Sequence, residues 1–164
     1  MAQQTERHVQ QSLLDRLIDL DPQSAVEAPL TRPQSLRQLR ASVKRQVEWI
    51  LNTVRTAEEV PACCRELRKS LYFYGLPDIT SVTLNSSQDE QRLLYSIENA
   101  ISQFEPRLTR VRVTAYERMS KQRAAIQFHV EALLMIDPAP ERISFDTVLE
   151  VFRGSYEVKD EHSA

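Results

Sequence analysis

The hydrophobic period of this chain changes once, and the change sits at Phe104-Glu-Pro-Arg107. Upstream, apolar residues recur every three to four positions. Downstream they recur every second position. The first spacing builds one apolar stripe on a helix, and the second builds one apolar face on a strand. A chain organised this way folds as helices first and strands second, which is an α+β arrangement.

The helical half is led by Leu36 to about Arg55. Leu36, Leu39, Val43, Val47, Ile50 and Val54 form its stripe, and Trp49 and Leu51 widen the apolar surface. Ser35 and Gln38 have the spacing of a capping box. Arg37, Arg40, Lys44 and Arg45 lie mostly away from the stripe. A second helix begins near Pro61 and carries Cys64, Leu67 and Leu71 on one side. Gly75 supplies a left-handed C-cap there, and Pro77 stops continuation. Ser81-Val-Thr-Leu84 is short and β-prone. Ser87 and Glu90 form another capping box, opening a helix to about Phe104 with Leu93, Leu94, Ile97, Ile101 and Phe104 inward.

In the strand half, Val111, Val113 and Ala115 oppose Arg110, Arg112 and Thr114. Ile126, Phe128, Val130, Ala132, Leu134 and Ile136 share a face of the next strand. Ile143, Phe145, Thr147, Leu149 and Val151 share a face of the third. Short connections at 117–124 and 137–142 favour an antiparallel meander. The expected architecture is a small antiparallel sheet of three to four strands covered by helices. Such a sheet has two edges, and an uncovered edge is a template for strand addition by another chain.

The domain boundaries follow. Residues 1–11 are read as a disordered tail and 12–20 as a short amphipathic helix with Ser12 as N-cap. Residues 21–34, with Pro22, Pro29 and Pro33, are read as a linker, 35–153 as the α+β domain, and 154–164 as a polar C-terminal tail. Leu13, Leu14 and Leu17 on the short helix either pack on their own domain or seat in a partner's groove.

Composition limits the functions. The formal charge of −2 lacks the basic footprint of a general nucleic-acid binder. It is unevenly spread, however. Residues 32–72 hold nine Lys/Arg against four Asp/Glu, and residues 107–123 hold six against one. Residues 73–106 hold one against five, and 137–164 three against seven. These are solvated faces, or patches that steer docking. No apolar run approaches the roughly 20 residues of a membrane span. The first residues are polar, so no signal peptide and no membrane insertion are expected. The two cysteines, Cys63 and Cys64, are adjacent, which excludes a disulfide framework and suits a reducing cytoplasm. Two glycines are too few for Gly-rich phosphate loops.

Chemistry is sparse. His8, His129 and His162 are scattered, and His129 reads as a surface or partly buried strand residue. No cofactor and no metal site are expected. Glu105, Asp78 and Asp137 sit at element boundaries where a carboxylate pair for glycoside cleavage could meet. The most informative feature is the corner Glu105-Pro106-Arg107. Pro106 pushes Glu105 out of the helical region and ends the helix. Glu105 and Arg107 either pair with each other or the local backbone, or Arg107 reaches into a partner.

Phe104-Glu-Pro-Arg-Leu108 after a capped helix, followed by an alternating Val-x-Val strand, resembles the TssE family. These are baseplate components of the bacterial type VI secretion system, similar to a wedge protein of contractile phage tails. Ser12-Leu-Leu-Asp-Arg-Leu17, Ile50-Leu-Asn-Thr53, Tyr74-Gly-Leu-Pro-Asp78 and the Ser87–Leu93 helix start match in the family's order. Departures are Val54 between Thr53 and Arg55, and Phe73-Tyr74 where the family has Asn-Tyr.

The resemblance implies a fold like the handshake part of the sheath subunit. It implies a cytoplasmic assembly protein and no enzyme, linking the baseplate wedge to the sheath and nucleating sheath polymerisation. Its implied partners are the wedge proteins TssF and TssG with TssK, and the sheath pair TssB and TssC. Glu105, Pro106 and Arg107 carry over as a partner-binding motif. A muramidase-like peptidoglycan hydrolase with Glu105 as acid is the alternative. A third option is nucleic-acid binding through the basic face of helix 36–55.

Overall fold

The computed structural model describes residues 9, 11–18, 30–56, 60–61, 63–78, 87–115, 125–150 and 155–160. Helix α1 (Leu13–Leu17) precedes the long α2 (Arg32–Asn52). Two 3-10 turns, Leu67–Lys69 and Leu71–Phe73, lead to α3 (Ser87–Phe104). Four strands follow: β1 (Leu108–Ala115), β2 (Ala125–Leu134), β3 (Glu141–Glu150) and β4 (Ser155–Asp160). They form one antiparallel sheet in the order β1-β2-β3-β4. The α+β expectation therefore holds, with four strands.

α2 starts earlier than its Ser35–Gln38 box suggests. Thr31 is the N-cap, and its N–H donates to the Gln34 side chain at 2.9 Å. Pro33 fits the first turn, where N–H groups have no helical partner. Ser35 is buried inside the helix and donates its hydroxyl to the Thr31 carbonyl. Residues 32–34 are thus helix and not linker. Leu39, Val43, Val47, Ile50 and Leu51 are buried, while Val54 lies beyond the helix and is exposed.

The segment after Pro61 differs from its expectation. The described part forms only the two 3-10 turns, Leu71 is exposed, and Cys63 and Cys64 both face solvent. Gly75 has φ +98°, but it caps no helix. It lets the chain lie against the end of α2, where the Leu76 N–H donates to the Thr53 carbonyl and the Arg55 N–H to the Leu76 carbonyl, both at 2.8 Å. A Cβ at Gly75 would sit 2.1 Å from the Thr53 oxygen.

On α3, Leu93, Ile97, Ala100 and Ile101 are buried against the sheet; Leu94 and Phe104 are partly buried. The even positions of β2 from Ile126 to Leu134 face the core, with Ile143, Phe145, Thr147 and Leu149 of β3. β1 departs from strict alternation. Leu108 and Val111 are both buried although three residues apart, because the register shifts between Thr109 and Arg112. The extra residue of this bulge lets both side chains turn inward. Arg110 within it has φ +53°.

β4 lies in what reads from the sequence as a polar tail. Tyr156 and Val158 fill the core from it, and the intervening charged residues face out. The sequence expectations for 1–8, 19–29, 81–84 and 117–124 fall outside the described residues, as does the side chain of Ser87.

Candidate partner-binding site

Three backbone bonds build the Glu105-Pro106-Arg107 corner. The Glu105 N–H still donates to Ile101, as in a helix. The Leu108 N–H then donates to Glu105 across a tight turn, and the Met135 N–H donates to Arg107 as the sheet begins. Pro106, which has no N–H to offer, stands exposed between them.

Glu105 is fully buried. Arg107 holds it with Nε to Oε1 at 2.8 Å and Nη2 to Oε2 at 2.7 Å, and the Arg107 backbone N–H adds a third bond at 3.2 Å. Of the two readings open from the sequence, the structure shows the pair made within the corner. Arg107 does not reach outward with its whole fork, although a fifth of its side chain remains accessible. The hydrogen bond to Glu105 raises the Arg107 pKa above its ordinary value, more than burial lowers it. Glu105 offers no open oxygen to a cleft, as a general acid for glycoside cleavage must.

The guanidinium continues the network. Arg107 Nη1 donates to the Ser42 hydroxyl at 3.3 Å, and Ser42 donates to Asp15 Oδ2 at 2.5 Å. Asp15 also accepts from the Ser12 hydroxyl and pairs with Arg45, each at 2.5 Å. Burial would raise the Asp15 pKa. The bonds from Ser12 and Ser42, with Arg45 and Arg107 nearby, outweigh it and hold the carboxyl below its ordinary value. Gln11 adds a bond to the Ser35 carbonyl at 2.9 Å.

The short helix therefore docks on its own domain by its polar side. Leu13, Leu14 and Leu17 point outward, 76%, 48% and 81% exposed. Asp15, Ser42 and Arg45 are the residues that sequence reasoning missed. The only local signal is Ser12 three residues before Asp15, a capping spacing; the Asp15 N–H donates to the Ser12 hydroxyl oxygen at 3.2 Å.

His129 is buried on the sheet, with Nδ1 2.8 Å from Asp146 Oδ1. Among the described residues no group of three or more His, Cys, Asp or Glu could hold a metal ion. Among them, too, no helix is long and apolar enough to cross a membrane.

The family model for baseplate wedge protein gp25 matches residues 37–139, from the first turns of α2 past the end of β2. This chain belongs to the gp25 baseplate wedge family. Its role in that family is structural, as part of a baseplate. The gp25 match contains the whole Glu105-Pro106-Arg107 corner, with Ser42 and Arg45, and ends before β3. No curated protein matches the chain. Among solved structures, a chain of "The baseplate complex from the type VI secretion system" is similar at a TM-score of 0.48 and 18% identity, over 76% of this chain and 97% of that one.

Proposed function

We propose that this gp25-family chain is a TssE-like baseplate subunit of a bacterial type VI secretion system. In this reading it works in the cytoplasm and has no enzymatic activity. It joins the baseplate wedge to the contractile sheath and starts sheath polymerisation by strand addition. Its wedge partners are TssF and TssG, with TssK attached, and its sheath partners are TssB and TssC. The observation that carries the reading is the gp25 family match over residues 37–139. The ordered TssE-like motifs supply the secretion system.

The contact residues in this reading are Leu13, Leu14 and Leu17 together with Pro106 and the accessible part of Arg107, while Glu105 holds Arg107 in place. The Asp15 network supports it, because it brings α1 beside the corner with its leucines outward. An exposed apolar trio on a helix anchored by part-buried polar bonds is suited to a partner's apolar groove.

Co-purification with TssF and TssG tests it. Leu13→Ser with Leu17→Ser changes only exposed side chains and leaves the melting temperature near wild type. The expected result is loss of the wedge complex. Retention of the complex by this variant and by Pro106→Ala overturns the contact assignment. Failure of the wild-type chain to bind TssF, TssG, TssB or TssC overturns the function.

A further inference from the structure

The two edges of the sheet differ in one respect that bears on strand addition. At β4, the Tyr156 N–H donates to Asn52 Oδ1 at 2.8 Å, and Asn52 Nδ2 donates to the Tyr156 carbonyl at 2.9 Å. A side-chain amide from the end of α2 thus occupies the main-chain groups that an incoming strand would need there. β4 is also the shortest strand, six residues long.

The same bonds determine which amides of β1 face outward. Main-chain groups alternate sides along an antiparallel strand. Tyr156 points away from β3, so Glu157, opposite Val148, points toward it. Thr147 then faces β2 opposite Phe128, and His129 faces β1 opposite Thr114. Along β1 this leaves Val111 and Val113 with N–H and C=O directed away from the sheet. The Met135-to-Arg107 bond gives the same alternation independently, since it places the odd residues at the end of β2 toward β1. Among the described residues no strand lies beyond β1.

The side chains flanking this row are basic. Arg110 and Arg112 are exposed on the sheet face away from the helices, while Val111 and Val113 are buried. The bulge at Arg110 ends regular pairing on that side and sets where a new strand begins.

We propose that β1, over residues 111–115, is the edge that accepts an additional strand, and that the strand carries carboxylates beside Arg110 and Arg112. This rests on the strand-addition reading above and assigns its edge and its partner chemistry. Asn52 keeps β4 from competing. Cross-strand pairs of opposite charge favour this register, and a basic strand meets like charge.

The test uses the full chain and a blocked peptide of alternating Glu and Val, about ten residues long, with its Lys-Val counterpart. Amide exchange is followed by NMR. The Glu-Val peptide at millimolar concentration is expected to slow exchange at Val111 and Val113 about tenfold, and the Lys-Val peptide is expected not to. Arg112→Glu should reverse that preference. In Asn52→Ala, protection should appear at Tyr156 and Val158 as well. No protection at β1, or protection of Val158 in the wild-type chain, overturns the edge assignment. Equal protection by both peptides overturns the acidic partner. Binding of TssB and TssC, followed in parallel, separates the two levels. If the wild-type chain binds the pair while protecting β4, the strand-addition reading stands and the β1 assignment falls. If the pair does not bind while the peptide protects β1, the reverse holds.

Discussion

Glu105 and Arg107 form a bidentate ion pair across the single proline between them, and the carboxylate has no exposure to water. Such a pair is held by geometry. Removing one partner strands a buried charge, whereas replacing both with apolar groups does not. Arg107→Glu sets a second carboxylate against Glu105 and is expected to cost about 3–5 kcal/mol. Of the two readings open from the sequence, the one in which Arg107 reaches into a partner predicts nearly wild-type stability for that variant; the burial of Glu105 reverses that expectation. Chemical denaturation of Arg107→Met, Glu105→Leu and the double variant checks this. The double variant should recover most of the loss. A single-variant loss below about 1 kcal/mol would show that the pair is not structural.

Asp15 makes the docking of α1 depend on pH. Its carboxyl titrates below the ordinary value in the folded chain, so the folded state prefers it ionised. The contribution is complete above the unfolded carboxylate pKa of about 3.9 and is lost as pH falls through the lowered folded value. Amide exchange at Leu13–Leu17 should therefore accelerate in that acidic window while the sheet stays protected. Asp15→Asn should show fast exchange at neutral pH and little further acceleration in acid. Unchanged exchange in this variant would mean that α1 is held by other contacts.

Gly75→Ala joins two penalties. A left-handed φ costs a non-glycine residue roughly 1–3 kcal/mol, and the new Cβ meets the Thr53 carbonyl at 2.1 Å. The obstacle is backbone and cannot rotate aside. A fall of several degrees in melting temperature is expected, at ~2–4 °C per kcal/mol for a chain this size. A melting temperature within about one degree of wild type would contradict the close approach.

Asn52→Ala removes both bonds to Tyr156 and should cost about 1–3 kcal/mol. Asn52→Asp keeps an acceptor for the Tyr156 N–H but cannot donate to its carbonyl, so it should lose part of that. Exchange of the Tyr156 amide gives the direct readout: fast in the alanine variant, intermediate in the aspartate variant.

Much of the architecture is legible along the chain. Leu39, Val43, Val47 and Ile50 mark a helix, and Phe128, Val130, Ala132 and Leu134 include a strand's inward face, because burial of one side imposes its period directly. The start of α2 was less legible. Thr31–Gln34 and Ser35–Gln38 are both plausible caps, and the choice depends on Ser35 being buried. β4 was hidden because Tyr156 and Val158 alternate with Ser155, Glu157 and Lys159 over too short a run to stand out from a polar tail. Pairing with Glu141–Glu150 and the Asn52 clamp stabilise it, and both partners are distant in sequence.

The chain by itself determined its helices-then-strands order and the stiff corner at Pro106, since local periodicity and one proline suffice for both. Tertiary structure decided how the polar groups pair. Asp15, Ser42 and Arg107 meet across intervals of 27 and 65 residues. Hydrogen bonds and ion pairs act over a few ångströms in space, and no spacing rule along the chain says which donors folding will bring within that range.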